Sequence, residues 1–163
     1  MVILGIDPGI ATMGYGVVEV DKGEFTALDY GVITTSKDMS APDRLVKVAK
    51  GIALLNEKYS PKAIAIEELF FQTNRKTAIL VAEARGVILY SASLTKARIY
   101  EYTPNQIKQA ITGYGGADKN QMQQMVKILL KLNAVPKPDD AADALAVAIC
   151  HGQTGKFQEL ARI

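Results

Sequence analysis

Short apolar runs separated by turn residues open the chain. The run over residues 2–6 contains no polar side chain and predicts a central strand buried on both faces. It ends in the Asp-Pro-Gly turn signal at residues 7–9. Two more runs, at residues 15–20 and 25–35, flank a second turn signal at residues 21–23. These three runs predict an antiparallel meander of three strands.

Helical periodicity begins at Ser40, which can cap a helix, with Asp43 three residues later. Apolar positions then recur at helical spacing, at Leu45, Val48, Ile52 and Leu55. A fourth apolar run follows at residues 63–67. Because a helix joins it to the meander, we predict that this fourth strand is parallel to the first.

The second half alternates helical stretches with one more strand. A helix predicted over residues 77–94 is apolar around its whole circumference, so it needs a second partner besides the sheet. A fifth strand is predicted at residues 97–102, and helices then start near Thr103, near Asp118 and over residues 139–150. This order predicts an α/β fold with a five-stranded mixed sheet, three antiparallel strands then parallel strands, flanked by helices on both faces.

Composition limits the remaining possibilities. The 163 residues are 48% hydrophobic, enough for one domain, which we place at residues 1–152 with a polar tail at 153–163 that is free to fray. The net charge of +2 permits a nucleic-acid partner without requiring one. Cys150 is the one cysteine and is expected to be a packed side chain. With no basic leader and no apolar run of about 20 residues, we expect a soluble cytoplasmic protein and no membrane partner.

Four carboxylates occupy unusual places in this pattern. Asp7 and Glu67 each end an apolar strand, and Asp140 and Asp143 share one face of an alanine-rich helix. Buried like charges are costly and raise one another's pKa values, and a divalent cation removes both problems. Mg²⁺ prefers oxygen ligands, and two such ions about 4 Å apart can support phosphodiester hydrolysis.

Each acid also has a purely structural interpretation. Asp7 could serve the turn, and Glu67 could be a solvated strand end with Glu68 competing for any role. Asp139 and Asp140 could be a helix cap and a first-turn charge. Asp143, inside the alanine run, is the hardest to explain in this way. His151, after the last predicted helix, is expected at the surface.

Taken together, these segments resemble the RuvC family of Holliday junction resolvases, which have an RNase H-like fold. Gly-Ile-Asp-Pro-Gly at residues 5–9 resembles the family's first motif, and residues 66–70 resemble its second. Residues 140–146, with two acids three apart, resemble its last motif. Residues 106–109 and 113–119 resemble its basic segment. Each motif alone is weak, but their order and separations are specific and cover about residues 2–150.

The resemblance implies a role for each site residue. The implied catalytic residues and metal ligands are Asp7, Glu67, Asp140 and Asp143. Lys108 and Lys119 would contact DNA near the cut, and Lys119 could stabilise transition-state charge. Phe70 would stack on junction bases, and Arg75 and Lys76 would hold phosphates; a core Phe70 and a solvated pair remain the alternatives. Asp139 stands directly before Asp140, and whether Asp139 also contributes to the metal site stays open.

The resemblance also implies cofactor and partners. Mg²⁺ is expected, two ions per site, with Mn²⁺ as an alternative. The two-fold symmetry of a four-way DNA junction favours a homodimer, for which the apolar helix at 77–94 is our predicted interface, with Glu83 and Arg85 pairing near the axis. The RuvA–RuvB branch-migration complex is the expected protein partner. Three alternatives stay open: another RNase H-like nuclease, an inactive junction-binding protein, and an actin-like ATPase using residues 5–9 as a phosphate loop.

Overall fold

A computed structural model describes residues 1–69, 75–154 and 162–163, and for residues 75–77 it describes the backbone alone. Within these residues, ten elements follow one another: β1 (Val2–Asp7), β2 (Thr12–Asp21), β3 (Glu24–Thr34), α1 (Ala41–Tyr59), β4 (Ala63–Glu67), α2 (Arg75–Ser93), β5 (Arg98–Tyr102), α3 (Pro104–Thr112), α4 (Lys119–Leu129) and α5 (Asp139–Thr154).

The five strands form one mixed sheet in the order β3-β2-β1-β4-β5. The pairs β1–β2 and β2–β3 are antiparallel, as expected for strands joined by short turns. The pairs β1–β4 and β4–β5 are parallel, and helices α1 and α2 make the crossovers that parallel pairing requires. The predicted fold class is therefore confirmed, including the switch from antiparallel to parallel pairing.

Local sequence signals explain where the helices begin. Ser40 accepts a hydrogen bond from the Asp43 amide at the start of α1. Thr103 and Asp118 start α3 and α4 with reciprocal capping boxes, in which the side-chain oxygen of a glutamine three residues later accepts a hydrogen bond from the cap residue's amide. Gly113 ends α3 in the left-handed conformation, with φ of 72°. The helix starts predicted from Ser40, Thr103 and Asp118 thus have the expected cause.

The sheet has an apolar core on each face. One core packs β1, β2 and β4 against α1 and α2, with Val48, Ile52 and Ile88 fully buried. The other core packs the opposite face against α3, α4 and α5, and in α5 every residue from Ala144 to Cys150 is buried. Helices therefore cover both faces, and α5 is the most buried of the described helices, which determines how close its acids lie to the sheet.

The end of α5 differs from the sequence-based prediction. The helix continues beyond Cys150 to Thr154, and His151 lies inside it, 1% exposed rather than at the surface as predicted. Its Nδ1 lies 2.7 Å from the Tyr102 hydroxyl, and burial lowers the His151 pKa to about 4. The reason for the error is that α5 is buried around its circumference, so its last turns also face the core. Cys150 is buried, as expected for a packed thiol.

Residues 162 and 163 lie against the outer strand of the sheet. Arg162 forms an isolated antiparallel bridge with Tyr100, and the Ile163 amide donates a hydrogen bond to the Ile99 carbonyl. Residues 155–161 of the predicted polar tail lie outside the described residues. In the described part of the chain, none of the helices combines the length and apolar character needed to cross a bilayer.

Candidate active site

Two neighbouring parallel strands bring Asp7 and Glu67 together. Ile6 of β1 is in register with Ile66 of β4, so the next residue of each strand is one of these acids. Ile6 and Ile66 belong to the core under α1 and α2. Because side chains alternate along a strand, Asp7 and Glu67 point to the opposite face, which α5 covers. The carboxyl ends of β1 and β4 therefore supply two adjacent acids on one face.

Helix α5 brings the other two acids to the same place. Gly14 of β2 is the residue paired directly with Asp7, and a methyl group at Gly14 would overlap the carbonyl oxygen of Asp140. Asp140 thus lies against the backbone beside Asp7, and Asp143 follows three residues later on the same helix face. The close approach requires a residue without a side chain at position 14.

The charges of these acids interact strongly. Burial and then the negative charges of Glu67, Asp143 and Asp140 together raise the pKa of Asp7 to about 8, against a lowering effect of Lys119. Burial and the Asp143 charge raise the pKa of Glu67 to about 7, with Lys108 acting in the opposite direction. Burial also raises the pKa of Asp143. The site therefore has more negative charge than its own lysines compensate.

The donor set fits a hard divalent cation. All four side chains offer carboxylate oxygens, the ligands that Mg²⁺ prefers, and a bound cation would relieve the excess negative charge. Among the residues that the structure describes, no three Asp, Glu, His or Cys side chains meet the geometry of a preformed cation site. The fit therefore rests on the kind of donors and on their charge, not on a completed coordination shell.

A cleft beside the acids contains both predicted basic residues. Its volume is about 250 Å³, and Lys108 of α3 and Lys119 of α4 line it together with Glu67 and Asp143. The remaining walls are mostly apolar: Pro104, Ile107, Ala117, Met122 and Ala146. The cleft thus combines carboxylates, two ammonium groups and an apolar surface, an arrangement suited to a sugar-phosphate backbone.

Asp139 lies at the edge of this cleft in a network of its own. Its Oδ1 accepts hydrogen bonds from Gln123 Nε2 at 3.0 Å and from Lys137 Nζ at 2.8 Å. Its Oδ2 lies 3.2 Å from Lys119 Nζ, which is also 3.6 Å from Asp143 Oδ2. The hydrogen bond from Lys137, then those from Gln123 and Lys119, hold the pKa of Asp139 well below its usual range.

Sequence reasoning overlooked Gln123 and Lys137. Gln123 follows Lys119 by four residues on α4, a spacing that places both on one helix face and could have indicated a shared partner. Of the other predicted site residues, Phe70 lies outside the described residues. Arg75 and Lys76 begin α2, but their side chains also lie outside the described part, so their roles remain predictions.

The chain resembles known proteins over nearly its whole length. The family model described as crossover junction endodeoxyribonuclease RuvC matches residues 3–151. A protein of that name from Alkaliphilus oremlandii is 55% identical over 163 residues, which are 100% of this chain and 99% of the relative.

Two solved structures from Thermus thermophilus also resemble the chain. The RuvC structure is 35% identical, with a TM-score of 0.89, over 99% of this chain and 98% of that one. RuvC in complex with a Holliday junction substrate is 35% identical, with a TM-score of 0.91, over 96% of both chains.

Proposed function

The chain belongs to the RuvC family of crossover junction endodeoxyribonucleases, and from this membership we propose which of its residues, ions and partners carry out the reaction. It is a metal-dependent nuclease that resolves Holliday junctions in DNA recombination and repair. The observation that carries our assignment is the register that sets Asp7 beside Glu67 at the ends of β1 and β4, together with the close approach of Asp140 to Gly14, the residue paired with Asp7.

We propose that these four carboxylates hold Mg²⁺, two ions per site, with Mn²⁺ as the alternative. The raised pKa values of Asp7 and Glu67 support this assignment, because a buried acid that interacts with other acids gains from a cation. Of the two neighbouring acids Asp139 and Asp140, we assign Asp140 as the metal ligand. Asp140 lies against Gly14, the residue paired with Asp7, whereas Asp139 is held by Gln123 and Lys137.

The acidic and basic residues of the site have different roles in cleavage. A cation held by these acids would supply Lewis-acid chemistry, namely activation of water for in-line attack and neutralisation of charge on the phosphate. Lys108 and Lys119 hold the scissile phosphodiester in the cleft, and Lys119 offsets negative charge that develops on it. The apolar wall excludes water from the sugar. The 3′ oxygen leaves, giving a 5′ phosphate and a 3′ hydroxyl.

Cleavage of a synthetic four-way junction tests this proposal against its alternatives. We expect two symmetric nicks in the presence of Mg²⁺, none with excess EDTA, and little cleavage of linear duplex or RNA. Equal cleavage of every nucleic acid in the panel would favour a general RNase H-like nuclease. Binding without cleavage under all metal conditions would favour an inactive junction-binding protein, and saturable ATP binding would favour the ATPase alternative.

Replacement of Lys108 by Ala should weaken junction engagement. Lys108 lines the cleft and is the cation whose charge lowers the Glu67 pKa, so its removal deletes a phosphate partner. We expect junction affinity to fall about threefold to tenfold at moderate salt, with a shallower dependence of affinity on salt. A salt titration of binding by fluorescence anisotropy in EDTA measures both quantities.

Lys131→Ala is the matched control for this prediction. Lys131 pairs with Glu24 on the surface, where both side chains are more than 70% exposed, and it does not line the cleft. Its salt dependence should equal that of the unmodified protein. A Lys108→Ala variant indistinguishable from Lys131→Ala would remove Lys108 from the DNA-binding surface.

We propose that a homodimer matches the two-fold symmetry of the junction and that α2 contributes its interface. Ile79 and Tyr90 on α2 are 61% and 65% exposed, and their spacing of eleven residues places them on one face of the helix. Arg85 forms an ion pair with Glu101 of its own chain, and the pairing of Glu83 and Arg85 near the axis stays a prediction.

The remaining assignments follow from family membership. We propose that Phe70 stacks on bases at the junction and that Arg75 and Lys76 hold backbone phosphates near the start of α2. The RuvA–RuvB branch-migration complex is the proposed protein partner, and the cytoplasm is the proposed location. Residues 1–152 are proposed as the nuclease domain, with the chain beyond them as a tail.

A further inference from the structure

We propose that Asp139, which is not one of the four assigned ligands, is a positioning residue that shares the Lys119 ammonium with Asp143 and so lets Asp143 turn to a cation while Lys119 keeps a carboxylate partner. The proposal rests on the proposed function, because it concerns the same metal site. It gives a role to Asp139, the first residue of α5, in addition to the roles proposed for Asp140 and Asp143 as ligands.

The geometry of Asp139 suits a fixed acceptor. Its two carboxylate oxygens have different partners: Gln123 and Lys137 both donate to Oδ1, which leaves Oδ2 turned toward Lys119. Gln123 is 7% exposed, so its amide is held in place by packing. The carboxylate is therefore oriented before Lys119 contacts it, and a single rotation of Asp139 would break three contacts.

Lys119 has a choice between two acids. Its Nζ lies 3.2 Å from Asp139 Oδ2 and 3.6 Å from Asp143 Oδ2, so Asp139 holds the shorter contact. Lys119 is the first residue of α4, and Gln123 lies one turn later, so a single face of α4 makes both contacts with Asp139. The start of α4 and the start of α5 are thus joined through one carboxylate.

Lys119 and a bound cation would compete for the Asp143 carboxylate. Lys119 is already within ion-pair distance of Asp143, and without Asp139 it would pair with Asp143 alone, so a cation would have to displace a stronger Lys119–Asp143 pair. With Asp139 present, the ammonium keeps a carboxylate partner at 3.2 Å when Asp143 turns to a cation. Asp139 therefore acts through Lys119 and does not ligate the cation itself.

A double-mutant cycle with Asp139→Asn and Lys119→Met tests this route of action. The readout is the Mg²⁺ concentration that gives half of the maximal increase in thermal unfolding temperature, measured on the full chain without DNA. We expect Asp139→Asn to raise this concentration about two- to fivefold, the range for loss of an exposed ion pair. In the Lys119→Met background, Asp139→Asn should change it by less than about 1.5-fold, because the competitor is gone.

Two outcomes would overturn the proposal. An equal weakening of Mg²⁺ binding in both backgrounds would mean that Asp139 acts on the cation directly, by charge or as a ligand. No weakening in either background would mean that the network is only structural. Glu24→Gln, which removes a comparable exposed ion pair with Lys131, controls for the loss of one negative charge and should leave Mg²⁺ binding unchanged.

Gln123→Met gives a second route if Asp139→Asn proves poorly folded. It removes the buried amide donor and keeps the Asp139 charge, so we expect a smaller weakening of Mg²⁺ binding in the same direction. An unchanged value would contradict the claim that Gln123 orients the carboxylate. Junction cleavage by the unmodified protein is scored separately: its absence would overturn the proposed function, whereas a cycle without coupling overturns only the role of Asp139.

Discussion

Replacement of Asp7 by Asn should abolish junction cleavage and leave junction binding intact. Asp7 is the carboxylate at which the charges of the other three acids converge, and asparagine keeps its size while removing the negative charge. Loss of a metal ligand removes several kcal/mol of transition-state stabilisation, so we expect single-turnover cleavage to fall by about 10³-fold or more. Cleavage of a labelled junction at saturating protein measures this change.

Binding distinguishes a ligand from a structural residue. With EDTA present, the Asp7→Asn variant should bind the junction as tightly as the unmodified protein, since asparagine resembles the neutral acid that a pKa of about 8 favours at neutral pH. Asp38→Asn makes the same chemical change in an exposed loop and should retain full cleavage. If Asp7→Asn lost binding and cleavage in parallel, Asp7 would be needed for the DNA-binding surface and not specifically for the metal.

The sheet could be predicted because its signals are local. Buried strands contain uninterrupted apolar runs, and short turns between the first three strands allow only antiparallel pairing. The two strand-end acids were recognisable for the same reason, since Asp7 and Glu67 break apolar runs at the points where neighbouring strands end. The parallel register of β1 and β4 then brings Asp7 and Glu67 side by side, which depends on strand pairing and not on composition.

Features that depend on packing between distant segments were not predictable. His151 is polar and follows an apolar helix, so its burial depends on Tyr100 and Tyr102 of β5, which lie about 50 residues earlier. The contact of Asp139 with Gln123 joins two helices across a loop whose path no local pattern specifies. Arg85 likewise pairs with Glu101 on β5, a contact that no local sequence pattern indicates.

Replacement of Gly5 by Ala should destabilise the protein, because Gly5 lies where β1 packs against α5 beside the active site. A methyl group at Gly5 would overlap the Ala144 carbonyl oxygen and approach the Ala148 amide nitrogen to 2.7 Å. Both atoms belong to the backbone of α5, which cannot move aside as a side chain could. We expect a loss of about 3 kcal/mol or more in the free energy of unfolding, measured by urea denaturation, against the gain of about 0.5–1 kcal/mol usual for this substitution.

Gly31→Ala is the matched control, because it is also a strand glycine and its added methyl group would meet only the Tyr15 side chain, at 3.0 Å. That tyrosine is half-buried and can shift, so the variant should be near neutral in stability and should retain cleavage. In Gly5→Ala protein that still folds, displacement of α5 carries Asp143, the residue before Ala144, away from Asp7, and cleavage should fall with binding preserved. Normal stability and cleavage in Gly5→Ala would show that the four acids do not depend on the close approach of α5 to β1.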